Sequence, residues 1–105
     1  MTEMEKVIIG MISSAGQSKA KAFEALKKAR TGEYDEARAL LAEARDADIQ
    51  AHQIQTKLIQ AEMSGSEDKP EVGLLMVHAQ DHLMTSLLCI DLAVEFVELY
   101  GKVNK

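Results

Sequence analysis

The segment from Leu74 to Val97 most constrains the fold, because read as a helix it is apolar on nearly every side. One stripe holds Leu75, His78, His82, Thr85, Cys89, Leu92, Phe96 and Leu99, and a second holds Leu83, Leu87, Ile90, Val94 and Val97. A third carries Leu74, Val77, Asp81, Met84 and Leu88. Two neighbouring helices in an antiparallel bundle cover roughly half of a helix circumference, so apolar surface is left over. Self-association is the expected remedy.

The rest of the chain supplies those two neighbours. A helix is expected over residues 2–29, with Met4, Ile8, Met11, Ala15, Ala22, Leu26 and Ala29 on one face and a capping box between Thr2 and Glu5. Thr31-Gly32 ends it, since glycine readily takes the left-handed conformation found past helix ends. A second helix over residues 33–62 follows, its small and apolar residues Ala37, Leu40, Ala44, Ala47, Ala51, Ile54, Leu58 and Ala61 alternating steps of three and four. The polar stretch from Ser64 to Lys69 is a loop, and Pro70 is expected in the first turn of a third helix over residues 70–102. Residues 1–105 thus read as one all-α domain, an antiparallel three-helix bundle. Around Gly32 the hairpin resembles one tetratricopeptide unit, but no second copy follows at the required period, so a repeat scaffold is the weaker reading.

Composition excludes several function classes. There are 12 basic and 17 acidic residues and no basic run longer than Lys27-Lys28, so nucleic acid is not an expected partner. The acidic start of the chain does not read as a signal peptide, and no apolar run reaches membrane-spanning length. The single cysteine, Cys89, has no partner for an internal disulfide and no CxxC pair is present, which fits a reducing cytoplasm.

Polar groups interrupt the apolar helix at His78, Gln80, Asp81 and His82, and burying such groups is costly unless they are paired or used. His78 and His82 lie one turn apart, with Asp81 about 60° round the helix from His78. Three chemistries remain open for His78. It is a satisfied core histidine, a metal ligand with His82, or a nucleophile that carries a phosphoryl group as a phosphoramidate. The spacing His78-x-x-Asp81-His82 echoes the inverted zinc-protease motif, with a shorter carboxylate in place of Glu. A small metal-dependent hydrolase is therefore the competing enzyme reading. The chain has no Gly-rich phosphate loop and no kinase catalytic loop, so it does not bind a nucleotide to energise itself, and any phosphoryl donor must be another protein.

The run His78-Ala79-Gln80-Asp81-His82-Leu83-Met84-Thr85 resembles the signature of the lactose/cellobiose family of enzyme IIA components of the bacterial sugar phosphotransferase system. The resemblance continues through Gly10 to Gly16, Ala25-Leu26-Lys27 with Gly32, and Ala51-His52 with Gln55-Thr56-Lys57-Leu58, and so covers essentially the whole chain. It implies a homotrimer of three-helix protomers in which His78 accepts phosphate from phospho-HPr and passes it to a cysteine of enzyme IIB. The membrane component IIC then takes part only indirectly, as a β-disaccharide (cellobiose, chitobiose or lactose) is taken up and phosphorylated. The resemblance also implies that Asp81 lies near the three-fold axis, where three copies share one divalent cation, most simply Mg2+. A shared cation relieves the mutual repulsion of three carboxylates.

Gln80 and His82 are supporting candidates, since both donate hydrogen bonds without adding negative charge. Gln80 points away from the His78 stripe, so its help is expected to reach a neighbouring subunit's site. His52, on the polar flank of the second helix, is assigned to structure or surface, and Cys89 to the core, about three turns from His78. Met76 and Met84 flank the motif with pliable thioethers suited to docking more than one partner.

Overall fold

A computed structural model describes residues 1–67 and 69–104; Asp68, within the expected polar loop, and Lys105 lie outside the described residues. The described chain is three helices, α1 (Glu3–Arg30), α2 (Tyr34–Met63) and α3 (Leu74–Val103). Local chemistry sets their ends. Thr2 caps α1 through the expected box, its Oγ1 accepting from Glu5 N–H at 3.0 Å while Glu5 Oε1 accepts from Thr2 N–H at 2.9 Å. At the far end Gly32 takes φ +84°. That turn lets Glu33 N–H reach the Lys28 carbonyl at 2.9 Å and Gly32 N–H reach that of Ala29 at 3.1 Å, a Schellman cap. Gly65, at φ +71°, repeats the device after α2, with Ser66 N–H on the Ala61 carbonyl at 3.0 Å.

The third helix departs from expectation at its start. Pro70 is buried and stands four residues before the first helical residue, Leu74, instead of in the first turn. Extended Gly73 is the N-cap, and its N–H closes a tight turn onto the Glu71 carbonyl at 3.1 Å. The proline ring joins Leu58, Ile59 and Met76 in lining a cleft between α2 and α3, so packing against α2 holds it outside the helix.

Three hydrogen bonds hold α2 antiparallel to α3. Tyr34 at the start of α2 donates its hydroxyl to the Tyr100 carbonyl at the end of α3, 3.1 Å away. Asp48 meets Ser86, and Gln55 meets Gln80, so residue numbers rise along α2 as they fall along α3. The core falls into two apolar clusters. One end of the rod packs Ala22, Ala25, Ala29, Ala37, Leu41, Ala44, Ile90, Ala93 and Val97; the other packs Ile8, Met11, Ala51, Leu58, Met76, Ala79 and Leu83. The many alanines let helix backbones approach closely.

Between the clusters lies a polar layer with one residue from each helix: Ser18, Asp48 and Ser86, all buried. Ser86 Oγ donates to Asp48 Oδ1 at 2.7 Å, while Ser18 Oγ and Asp48 Oδ2 have no hydrogen-bond partner within 3.5 Å among the described residues. Burial pushes the Asp48 carboxyl above the ordinary carboxylate range, against the opposing pull of the Ser86 hydroxyl.

The buried face of α3 is Met76, Ala79, Leu83, Ser86, Ile90, Ala93 and Val97, closest to the second expected stripe. The third expected stripe faces out. Leu74, Val77, Met84 and Leu88 are exposed, Leu88 at 58%, and Asp81 among them is exposed as well. The apolar surplus expected for a lone three-helix protomer is therefore present, concentrated on α3. None of the described helices is long and apolar enough to cross a membrane.

Candidate functional site

The expected pair His78 and His82 does come together. Their rings stand edge to face, centroids 4.5 Å apart and planes 88° apart, with the two Nε2 atoms 3.2 Å from each other. His78 is exposed on the outer flank of α3, and His82, one turn on and partly buried, backs it from the side of α1. From α1, Lys19 Nζ reaches His82 Nδ1 at 3.2 Å, so a continuous polar line runs Lys19–His82–His78 from the helix interface to solvent. Partial burial, then the Lys19 charge, then His78 hold the His82 imidazole below the ordinary histidine value, with Asp81 pulling the other way.

Lys19 is absent from the candidates that sequence reasoning selects. Position 19 lies 63 residues from His82, and no motif or period ties the two together. Only the packing of α1 against α3 does so.

The other candidates are placed elsewhere. Gln80 is half-buried toward α2, where its Oε1 accepts from Gln55 Nε2 at 2.7 Å, so within the protomer it serves the helix interface and does not meet His78. Asp81 is exposed on the apolar stripe. Thr85 spends its hydroxyl on its own helix, donating to the Asp81 carbonyl at 2.7 Å. Cys89 is half-buried at the edge of the apolar cluster, its thiol pushed up by burial, which makes it a poor nucleophile. His52 is exposed on α2.

Neither metal reading fits the residues of one protomer. A catalytic zinc takes three protein ligands, and among the described residues no group of three His, Cys, Asp or Glu side chains stands close enough to hold an ion. The Lys19 ammonium on the far side of His82 further opposes a cation there. Asp81 offers a single exposed carboxylate, so a divalent ion at that position requires further copies of the chain.

What the site does offer is an accessible imidazole beside a second imidazole and an ammonium. That is a nucleophile flanked by hydrogen-bond donors, suited to a transferable anion.

Comparison with known proteins identifies the family. Residues 6–101 match the family described as the PTS system, lactose/cellobiose-specific IIA subunit. The N,N'-diacetylchitobiose-specific EIIA component of Escherichia coli K12 is 44% identical over 102 residues, covering 97% of this chain and 86% of that protein. A crystal structure of the cellobiose-specific enzyme IIA of Bacillus anthracis superposes with a TM-score of 0.93 at 39% identity, covering 99% of this chain and 94% of that one. The IIA(chitobiose) chain in solution structures of its complex with HPr, from the N,N'-diacetylchitobiose branch of the E. coli phosphotransferase system, gives 0.85 at 41% identity, with both chains fully covered.

Proposed function

Because the chain belongs to the lactose/cellobiose-specific IIA family of the phosphotransferase system, we propose that His78 is its phosphoryl carrier, loaded by phospho-HPr and unloaded by a cysteine of enzyme IIB. The observation that carries this reading is the exposed His78 imidazole backed by His82 at 3.2 Å. In the loading step the lone pair of an imidazole nitrogen attacks phosphorus, and the bond from phosphorus to the donor breaks with its electron pair returning to the donor. In the unloading step a thiolate attacks and the electron pair returns to His78. His82 supports the bound phosphoryl group by hydrogen bonding and adds no negative charge.

The working form on this reading is a cytoplasmic homotrimer, which covers the exposed Leu74, Val77, Met84 and Leu88 stripe. Three copies of Asp81 then meet, and a shared Mg2+ suits their hard oxygen donors. The ion serves assembly, and no transfer step passes through it. A Gln80 contribution to a neighbour's site would require release from Gln55. The sugar itself, a β-disaccharide of the cellobiose, chitobiose or lactose type, is never touched by this component.

Incubation with phospho-HPr should attach one phosphoryl group to His78, labile in acid and stable in base. An unchanged mass overturns the proposal. His78→Ala should abolish labelling while leaving helix content intact, since the side chain is exposed and outside both core clusters.

A further inference from the structure

We propose that Lys19 is a positioning residue for phosphoryl transfer, fixing the tautomer of His82 so that its Nε2–H faces the reacting edge of His78. The inference rests on the carrier role of His78 and on donor arithmetic. An ammonium has only donors, so at 3.2 Å from Lys19 Nζ the Nδ1 atom of His82 must accept. A neutral imidazole with an accepting Nδ1 carries its proton on Nε2. That nitrogen lies 3.2 Å from His78 Nε2, and a single proton fits between the two. His82 therefore donates and His78 accepts, which leaves the His78 lone pair on Nε2 and its ring proton on Nδ1.

The consequence is a directional relay. The His78 nitrogen poised to form the bond to phosphorus is the one beside the His82 N–H. Once that nitrogen is occupied, the same N–H is left to donate to a phosphoryl oxygen. With the opposite tautomer His82 would present a lone pair to an anion, which repels. The rings stand perpendicular, and Lys19 acts on His78 through His82. The role is missed by sequence reasoning because it acts across two helices and through a second side chain.

The test combines nitrogen-15 spectra of the histidine rings with transfer rates from phospho-HPr, for the full chain and for Lys19→Met and Lys19→Arg. In the unsubstituted protein His82 should show two well-separated ring-nitrogen shifts with the proton on Nε2. Lys19→Met keeps the apolar stem and removes the donors. Its two His82 shifts should converge toward a tautomer average, and transfer to His78 should slow about tenfold, the scale of one hydrogen bond to the moving group. Lys19→Arg should restore both. A proton found on His82 Nδ1 overturns the proposal, as does an unchanged tautomer in Lys19→Met, or an unchanged rate despite converged shifts. Backbone amide spectra check that each variant is folded. The tautomer measurement uses no phosphoryl donor, so a failure of His78 to label overturns the carrier reading and leaves the Lys19–His82 assignment to be decided on its own.

Discussion

Two aspartates sit in opposite surroundings from those their sequence neighbours suggest. Asp81 is flanked by Val77, Met84 and Leu88, yet it is exposed. Asp48 is flanked by Arg45, Asp46 and Gln50, yet it is 3% exposed and shares a hydroxyl proton from Ser86. The difference teaches that apolar neighbours report which surface is eventually covered, and not that the protomer itself covers it. Asp48 is a cost already met inside one chain. Asp81 becomes a cost only when copies assemble.

Breaking the outer half of this comparison should have the largest effect. Leu88→Glu places a charge on the exposed stripe, where a free protomer would feel it by no more than about 0.5 kcal/mol. In the proposed trimer the same charge is buried without a partner and costs several kcal/mol per subunit. Sedimentation should find the mass fall from three protomers to one of 11.5 kDa, with helix content unchanged. A trimer that survives Leu88→Glu would place the interface elsewhere.

Asp81→Leu sharpens the same half from the other direction. Replacing three converging carboxylates by apolar packing should hold the trimer together by about 1–4 kcal/mol more than in the parent without metal. Dilution series in a chelator should then show the variant dissociating at lower concentration than the parent. Easier dissociation would remove Asp81 from the axis.

The limits of sequence reading follow the same line. Helix ends were legible because their signals are local: Thr2 with Glu5, and Gly32 past α1, sit where the chemistry of caps requires. Pro70 was not, since a proline fits a first turn and an approach segment equally well, and packing against α2 decides between them. On α2 the heptad reading takes Ala37, Ala44, Ala51 and Leu58, which are buried, together with Leu40, Ala47 and Ile54, which are half-buried. The fold also buries Leu41, Asp48 and Gln55, which that reading leaves out, with Asp48 Oδ1 accepting from Ser86 and Gln55 Nε2 donating to Gln80 on α3. Such partners are invisible to a count of apolar residues. On α3 an all-round apolar helix carries no period from which to read its inner face. His78 and His82 could be paired from spacing alone, whereas Lys19 required the tertiary fold.

The inner half of the comparison yields the smallest effect and the clearest sign. Asp48→Asn keeps an acceptor for the Ser86 hydroxyl and removes a charge that burial disfavours. Because the folded-state pKa of Asp48 is raised, the folded protein binds its proton more tightly than the unfolded chain does. The stability linked to that proton is fully present below the unfolded carboxylate value and is lost as pH rises through the raised folded value. Asn carries no such dependence. At pH 7 Asp48→Asn should therefore be the more stable protein by about 1 kcal/mol, a rise in Tm of several degrees for a domain of this size. The advantage should shrink as pH is lowered and vanish below the ordinary aspartate range. Thermal melts of both proteins across that interval decide it, and an advantage for Asp48→Asn that stays constant with pH would mean that folding leaves the affinity of this carboxyl for its proton unchanged.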